Sequence, residues 1–179
     1  GSAMEAAFGY SVTVDPRTYQ GLVVEKIEGH ERHGRVVQCP IRRVHPERVY
    51  QKLITNHPSD NFLIEFRVDA YGKELIWSHK KMYKYPNGFP HPGRTDASTE
   101  FNVPEQDYCS LSESYHLRMF LSGIGMEYGS IDVIRGLDNL IYVIDATVNV
   151  GIPRPCWHSN CSPQHYIKTS AEMFERMWV

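Results

Sequence analysis

Short β-type runs of apolar residues, broken by polar turns, recur along this chain, and one stretch shifts to the period of a helix. Residues 9–14 alternate like a short strand and stop at Asp15-Pro16, a turn signal. Residues 21–28, with Leu22, Val23, Val24 and Ile27, form a β-rich run. A polar loop bounded by Gly29 and Gly34 and carrying His30 and His33 follows, and residues 35–39 return, so 21–39 predicts a hairpin. Residues 49–54 fit a strand or a helix equally. Residues 62–70 and 74–81 flank Tyr71-Gly72-Lys73 and predict a second hairpin. Residues 84–108 hold four prolines, two glycines and few aliphatic side chains, which predicts a long loop.

The helical period is clearest after residue 110. Ser110-Leu111-Ser112-Glu113 fits a capping box, in which Ser and Glu three apart satisfy free amides of the first turn. Leu117, Phe120, Leu121 and Ile124 then recur at helical spacing, and Gly123 and Gly125 end the run. A last helix is expected from Ser162-Pro163 toward Trp178. Between the helices, residues 130–135 and 140–146 predict two strands joined at Gly136-Leu137-Asp138-Asn139. The fold class expected is α+β, with hairpins in the sheet and one or two helices packed on it.

Composition narrows the picture. With 179 residues, 41% of them hydrophobic, the chain can form one domain or two small lobes sharing a cleft. A formal net charge of −2 gives no reason to expect nucleic acid as a partner. No apolar run approaches the roughly 20 residues of a membrane span, and the start lacks the pattern of a signal peptide. A cytoplasmic setting with reduced thiols is therefore expected for Cys39, Cys109, Cys156 and Cys161. Gly1-Ser2-Ala3 before Met4 has the look of a cloning remnant, so residues 1–7 are expected to be a tag and disordered start.

The chemistry concentrates in residues 129–151. If the turn is 136–139, Arg135 pairs with Leu140, Asp132 opposes Val143, and Asp145 is a diagonal neighbour on the same face, about 7–8 Å away at the backbone. Asp145, Thr147 and Asn149 are spaced by two and share a face while the chain stays extended. Ile131, Val133, Tyr142 and Ile144 would cover the opposite, core-side face. Two carboxylates on one face repel unless something positive lies between them, and a hard cation such as Mg²⁺ answers that need. The alternative is that both aspartates simply face water.

Gly129-Ser130-Ile131-Asp132-Val133-Ile134-Arg135, followed by Tyr142-Val143-Ile144-Asp145-Ala146-Thr147, resembles the C-terminal signature of ATP-grasp proteins. That resemblance implies two α+β lobes of antiparallel sheet with helices, gripping ATP in the cleft between them: residues 8–54 with the lysine strand and phosphate loop, and residues 55–179 with the carboxylate hairpin. It implies that Lys26 reaches the phosphates and that Gly29 to Gly34 covers them. Gln51 and Leu53 would lie in the hinge against adenine. Glu65-Phe66-Arg67-Val68 is similar to the family's Asp-x-Arg-Val strand, which implies catalytic roles for Arg67 and Lys80, with Lys81 nearby on the nucleotide. Asp132, Asp145, Thr147 and Asn149 would be the Mg²⁺ ligands. The family carries Asn where this chain has Thr147, Asp where it has Glu65, and usually an N-terminal domain ahead of the nucleotide lobe.

The implied activity is an ATP- and Mg²⁺-dependent carboxylate–amine or carboxylate–thiol ligation through an acylphosphate, on a small molecule or peptide, by a possible homodimer. Two alternatives stay open. One is a non-catalytic relative that keeps the fold as a binding module. The other is a small zinc protein using Cys156, His158, Cys161 and His165, ligand types that zinc accepts at short spacings.

Overall fold

The computed structural model describes residues 1–27, 34–56, 62–72, 74–84, 95–101 and 109–148, with helical residues 168, 171–172 and 175–176 beyond them. The elements in chain order are α1 (Ser2–Phe8), β1 (Gly21–Ile27), β2 (Arg35–Cys39), β3 (Arg48–Lys52), β4 (Phe62–Tyr71), β5 (Glu74–Lys84), β6 (Thr95–Phe101), α2 (Leu111–Gly123), β7 (Tyr128–Arg135) and β8 (Ile141–Thr147). They form a three-stranded sheet, β2-β1-β3, and a five-stranded sheet, β6-β5-β4-β7-β8. Every strand pair is antiparallel. The chain is thus a small α+β protein of two antiparallel sheets with helices.

In the smaller sheet, alternation sends Val23 and Glu25 to one face and Val24 and Lys26 to the other. Val23, Cys39 and Tyr50 form a buried cluster there, flanked by Val14, Tyr19 and Val37. Residues 48–52, ambiguous by pattern, become a strand because β1 offers them a partner: Val23 pairs with Lys52 and Ile27 with Arg48. Residues 9–14 contribute a single bridge, Thr13 to Gln51, in place of the strand that their alternation predicts.

In the larger sheet, β4 and β7 are buried on both sides. Phe66, Val68, Ala70, Ile131 and Val133 pack under the helices with Leu117, Phe120 and Leu121. Leu63, Tyr83 and Ile134 cluster on the other face, with Ile54 and Ile144 against them. Leu117 is fully buried, and truncating such a leucine to alanine typically costs about 2–5 kcal/mol. The capping box of α2 is present in both directions: Ser110 Oγ accepts from the Glu113 amide, and the Glu113 carboxylate accepts from the Ser110 amide.

Two expectations give way here. The start of the chain is helical and not disordered: Met4 and Ala7 of α1 are buried in the main core beside α2. A seven-residue helix is marginal alone, so this tertiary burial holds it. Within the expected loop 84–108, residues Thr95–Phe101 add an edge strand to β5, pairing Lys84 with Thr95 and His79 with Phe101. An edge strand needs backbone pairing on one side only, so it can form without the aliphatic alternation that marks a central strand.

Candidate functional site

One row of side chains crosses the larger sheet. His79 pairs with Arg67, Arg67 with Asp132, and Asp132 with Asp145, so all four share the face away from the helices. The register corrects the expected hairpin. Arg135 pairs with Ile141, not Leu140, and a bulge between Asp132 and Val133 makes Asp145 the direct partner of Asp132, not its diagonal neighbour. Direct partners have closer side chains than diagonal ones. The expected core face also changes: β7 is buried on both sides, with Ile134 on the face of Asp132.

Arg67 and Asp132 form a two-pronged ion pair. Arg67 Nε donates to Asp132 Oδ1 and Nη2 to Oδ2, each at 2.8 Å. Hydrogen bonding to the Asp132 carboxylate pushes the Arg67 guanidinium pKa upward, against the opposing effect of burial. Burial pushes the imidazole of His79 down to about 3, with the charges of Lys81 and Arg67 adding to it, so His79 is neutral at physiological pH.

Rows of similar character lie on either side. Glu65 pairs with Lys81 and accepts a hydrogen bond from Tyr83 Oη at 3.3 Å. Asp69, Ser130 and Thr147 line up across β4, β7 and β8, and Ser130 Oγ donates to the fully buried Asp69 at 2.7 Å. Gly129 sits beside this row where a Cβ would collide with the Thr147 carbonyl, which accounts for glycine there. Thr147 thus shares the face of Asp132 and Asp145. Lys80 does not: it pairs with Phe66, whose side chain is in the core under the helices. The strand's alternation therefore separates Lys80 from Arg67 and puts Lys81 on the face of the row.

The smaller sheet touches the larger one beside this row, at the residue before Asp145. Lys26 Nζ donates to the Ile144 carbonyl at 3.0 Å, and Gln51 Nε2 donates to the same oxygen at 3.2 Å. Both donors lie on one sheet face, because Val24, two residues before Lys26, pairs with Gln51. The acceptor is accessible because Ile144 is the extra residue of the bulge and stands outside the ladder. The amide of Leu53 donates to the Leu22 carbonyl of β1 at 3.0 Å. Close by, a cavity of ≈ 380 Å³ has Lys52, Leu53, Ile54, Asp138 and Tyr142 in its wall.

Glu25 lies on the far face of β1 and serves the fold. It is buried, accepts from Tyr50 Oη at 2.9 Å, and pairs with Arg48 at 2.8 Å and with Arg35. Gly34 approaches β1 so closely that a Cβ would lie 2.7 Å from the Glu25 carbonyl. Gly29, His30, His33, Asn149 and the set Cys156, His158, Cys161 and His165 lie outside the described residues. Among the described residues no group of three or more His, Cys, Asp or Glu side chains is gathered as a metal-ligand cluster, and no helix is long and apolar enough to cross a membrane. Sequence reasoning missed His79, the Asp69–Ser130 pair and the Ile144 carbonyl. The first two carry no local signal, and the third depends on a bulge.

No family model matches the sequence, and no curated protein matches it. Solved structures do resemble the fold. A structure of the ATP-grasp ligase PsnB complexed with minimal precursor superposes with a TM-score of 0.59 at 12% identity, covering 96% of this chain and 58% of that one. PsnB with a phosphomimetic variant of minimal precursor, Mg and ADP gives 0.60 at 12% identity, covering 97% and 56%. The D-alanine–D-alanine ligase of Bacillus anthracis gives 0.56 at 11% identity, covering 98% and 64%. The chain therefore spans less than two thirds of the length of each of these ligases. The two sheets, their antiparallel order and these superpositions together establish that the chain has an ATP-grasp-like fold.

Proposed function

We propose that this chain binds ATP with Mg²⁺ between its two sheets and serves an ATP-dependent ligase reaction at a carboxylate. The observation that supports the reading is the row Arg67–Asp132–Asp145, with Lys26 bonded to the carbonyl of the residue before Asp145, within an ATP-grasp-like fold. Phosphoryl transfer is chiefly positioning and neutralisation of charge, and these residues supply both.

Lys26 and Arg67 neutralise phosphate oxygens from opposite sides of the cleft, with Lys81 beside Arg67. Ile134, Leu63 and Ile54 form an apolar wall at the hinge end of the row, suited to a planar base. The donor set fits a hard cation, because Asp132 and Asp145 are direct partners and Thr147 adds a hydroxyl on the same face. When bound, Mg²⁺ would neutralise the triphosphate and hold its terminal phosphoryl group in line. A substrate carboxylate oxygen attacks the γ-phosphorus, ADP leaves, and an amine or thiol then displaces inorganic phosphate from the acylphosphate. The PsnB structures were solved with precursor, which supports a peptide or small-molecule second substrate.

Titration calorimetry of the folded protein with ATP and Mg²⁺ tests the reading. Binding that loses its Mg²⁺ dependence in Asp132→Asn and Asp145→Asn is the expected result, and no nucleotide binding at all sinks it. One observation favours a second reading, a nucleotide-binding module without catalysis: Thr147 offers a hydroxyl where the family has an amide carbonyl. ATP binding without turnover of any carboxylate substrate would select that reading.

A further inference from the structure

The Arg67–Asp132 pair bears on the order in which metal and nucleotide enter. Both Asp132 oxygens already accept an N–H, and the two side chains are only 25% and 12% exposed, so little water screens the pair. Asp145, the partner across the strand, is exposed, with one oxygen accepting from the Ala146 amide. A divalent cation arriving alone would meet a carboxylate that is already neutralised, and would lie against a fixed guanidinium charge. A polyphosphate changes that balance: it gives the guanidinium new oxygens to bind and brings negative charge of its own.

We propose that Arg67 acts as a gate on the metal site: it occupies Asp132 until phosphate draws it away, so the cation binds with the nucleotide and only weakly before it. The inference rests on the ATP-binding reading above and adds a second role for Arg67, as a positioning residue of the metal ligand. It requires that one side chain strengthen nucleotide binding and weaken binding of metal alone. A residue that merely holds the sheet together would not give opposite signs.

The test uses the full chain and Mn²⁺ as the probe, read by electron paramagnetic resonance without nucleotide. Arg67→Gln removes the charge. Arg67→Lys keeps a charge but loses the fork, so it carries the test if the Gln variant does not fold by circular dichroism. The expected result is Mn²⁺ binding at least tenfold tighter in Arg67→Gln, and severalfold tighter in Arg67→Lys, than in the unsubstituted protein. Adding Asp132→Asn to either variant should abolish the gain. In the same samples, affinity for ATP should fall at least tenfold in Arg67→Gln. Mn²⁺ binding that is unchanged or weaker in the folded variants overturns the gate, as does a gain that survives Asp132→Asn. Absence of ATP binding by the unsubstituted protein overturns the ATP reading instead, and the Mn²⁺ comparison identifies which of the two has failed.

Discussion

Lys26 Nζ donates a hydrogen bond to the carbonyl oxygen of Ile144 at 3.0 Å, across 118 positions of sequence. The bond joins the smaller sheet to the edge strand of the larger one, one residue before Asp145. The ammonium of one sheet is thereby held beside the strand that carries Asp145 in the other.

Replacing Lys26 by Met is expected to weaken ATP binding by about tenfold or more, since a charge-assisted bond contributes about 1.5–3 kcal/mol. The fold should tolerate the change, because the bond to the Ile144 carbonyl is only partly buried. Calorimetry with ATP and a thermal melt on the same preparation separate the two effects. A collapse in melting temperature with unchanged ATP affinity would assign Lys26 to the fold alone.

Glu25 is expected to matter for stability and not for the site. Its burial raises the carboxyl pKa, but hydrogen bonds from Arg35 and Tyr50 and the charges of Arg35 and Arg48 outweigh that, and the net shift is downward. A carboxyl depressed on folding contributes stability above its unfolded pKa, and that stability is lost as pH falls through the folded value. Glu25→Ala leaves Arg48 facing an emptied, buried position and should cost about 3 kcal/mol at neutral pH. Urea unfolding at pH 7 and near pH 4 should show the difference between variant and unsubstituted protein shrinking at the lower pH.

His79 adds acid sensitivity of the same sign from a different cause, a buried imidazole that stays neutral. Its folded pKa is about 3, below the ordinary 6.5. Between those values the unfolded chain binds a proton that the folded chain does not, so stability falls as pH drops below about 6.5. The slope from this group approaches about 1.4 kcal/mol per pH unit. His79→Gln should flatten the stability profile between pH 6 and pH 4. An unaltered slope would mean that His79 takes up its proton in the folded state.

The N-terminus of α2 is tied to the β7–β8 turn. The Glu113 carboxylate accepts from the Ser110 amide at 2.8 Å and from Arg135 at 2.8 and 3.1 Å. Ser110→Ala should cost about 1 kcal/mol, as the loss of an N-cap does. Glu113→Ala removes the return bond of the box and the ion pair together and should cost about 2 kcal/mol. Chemical denaturation that ranks the two variants the other way would show that the pair with Arg135 contributes little.

Local rules made much of this molecule legible. Ser110 and Glu113 announce a helix start because both halves of the box lie within one turn. The hairpins 21–39 and 62–81 follow from alternation around polar turns, since a strand with one face buried must alternate. The common face of Asp132 and Asp145 was within reach of spacing, but their direct pairing was not. A bulge adds one residue to one strand, and no nearby residue type announces it. Lys80 shows the same limit: a run of two lysines does not say which one shares the face of Arg67 until the partner strand sets the register. Helix α1 escaped because its stability lies in the burial of Met4 and Ala7 beside a helix that begins at residue 111.

The sequence by itself determined the hairpins, the capped helix α2 and the α+β class, because caps, turns and alternation act over a few residues, and it nominated Lys26, Arg67, Asp132 and Asp145 as candidates. Only the tertiary structure decided the rest. It paired Arg67 with Asp132 across 65 positions, set Asp145 opposite Asp132 and exposed the Ile144 carbonyl to Lys26 and Gln51. Register is chosen by the packing of both faces of a strand at once, and that packing exists only when the sheets and helices have come together.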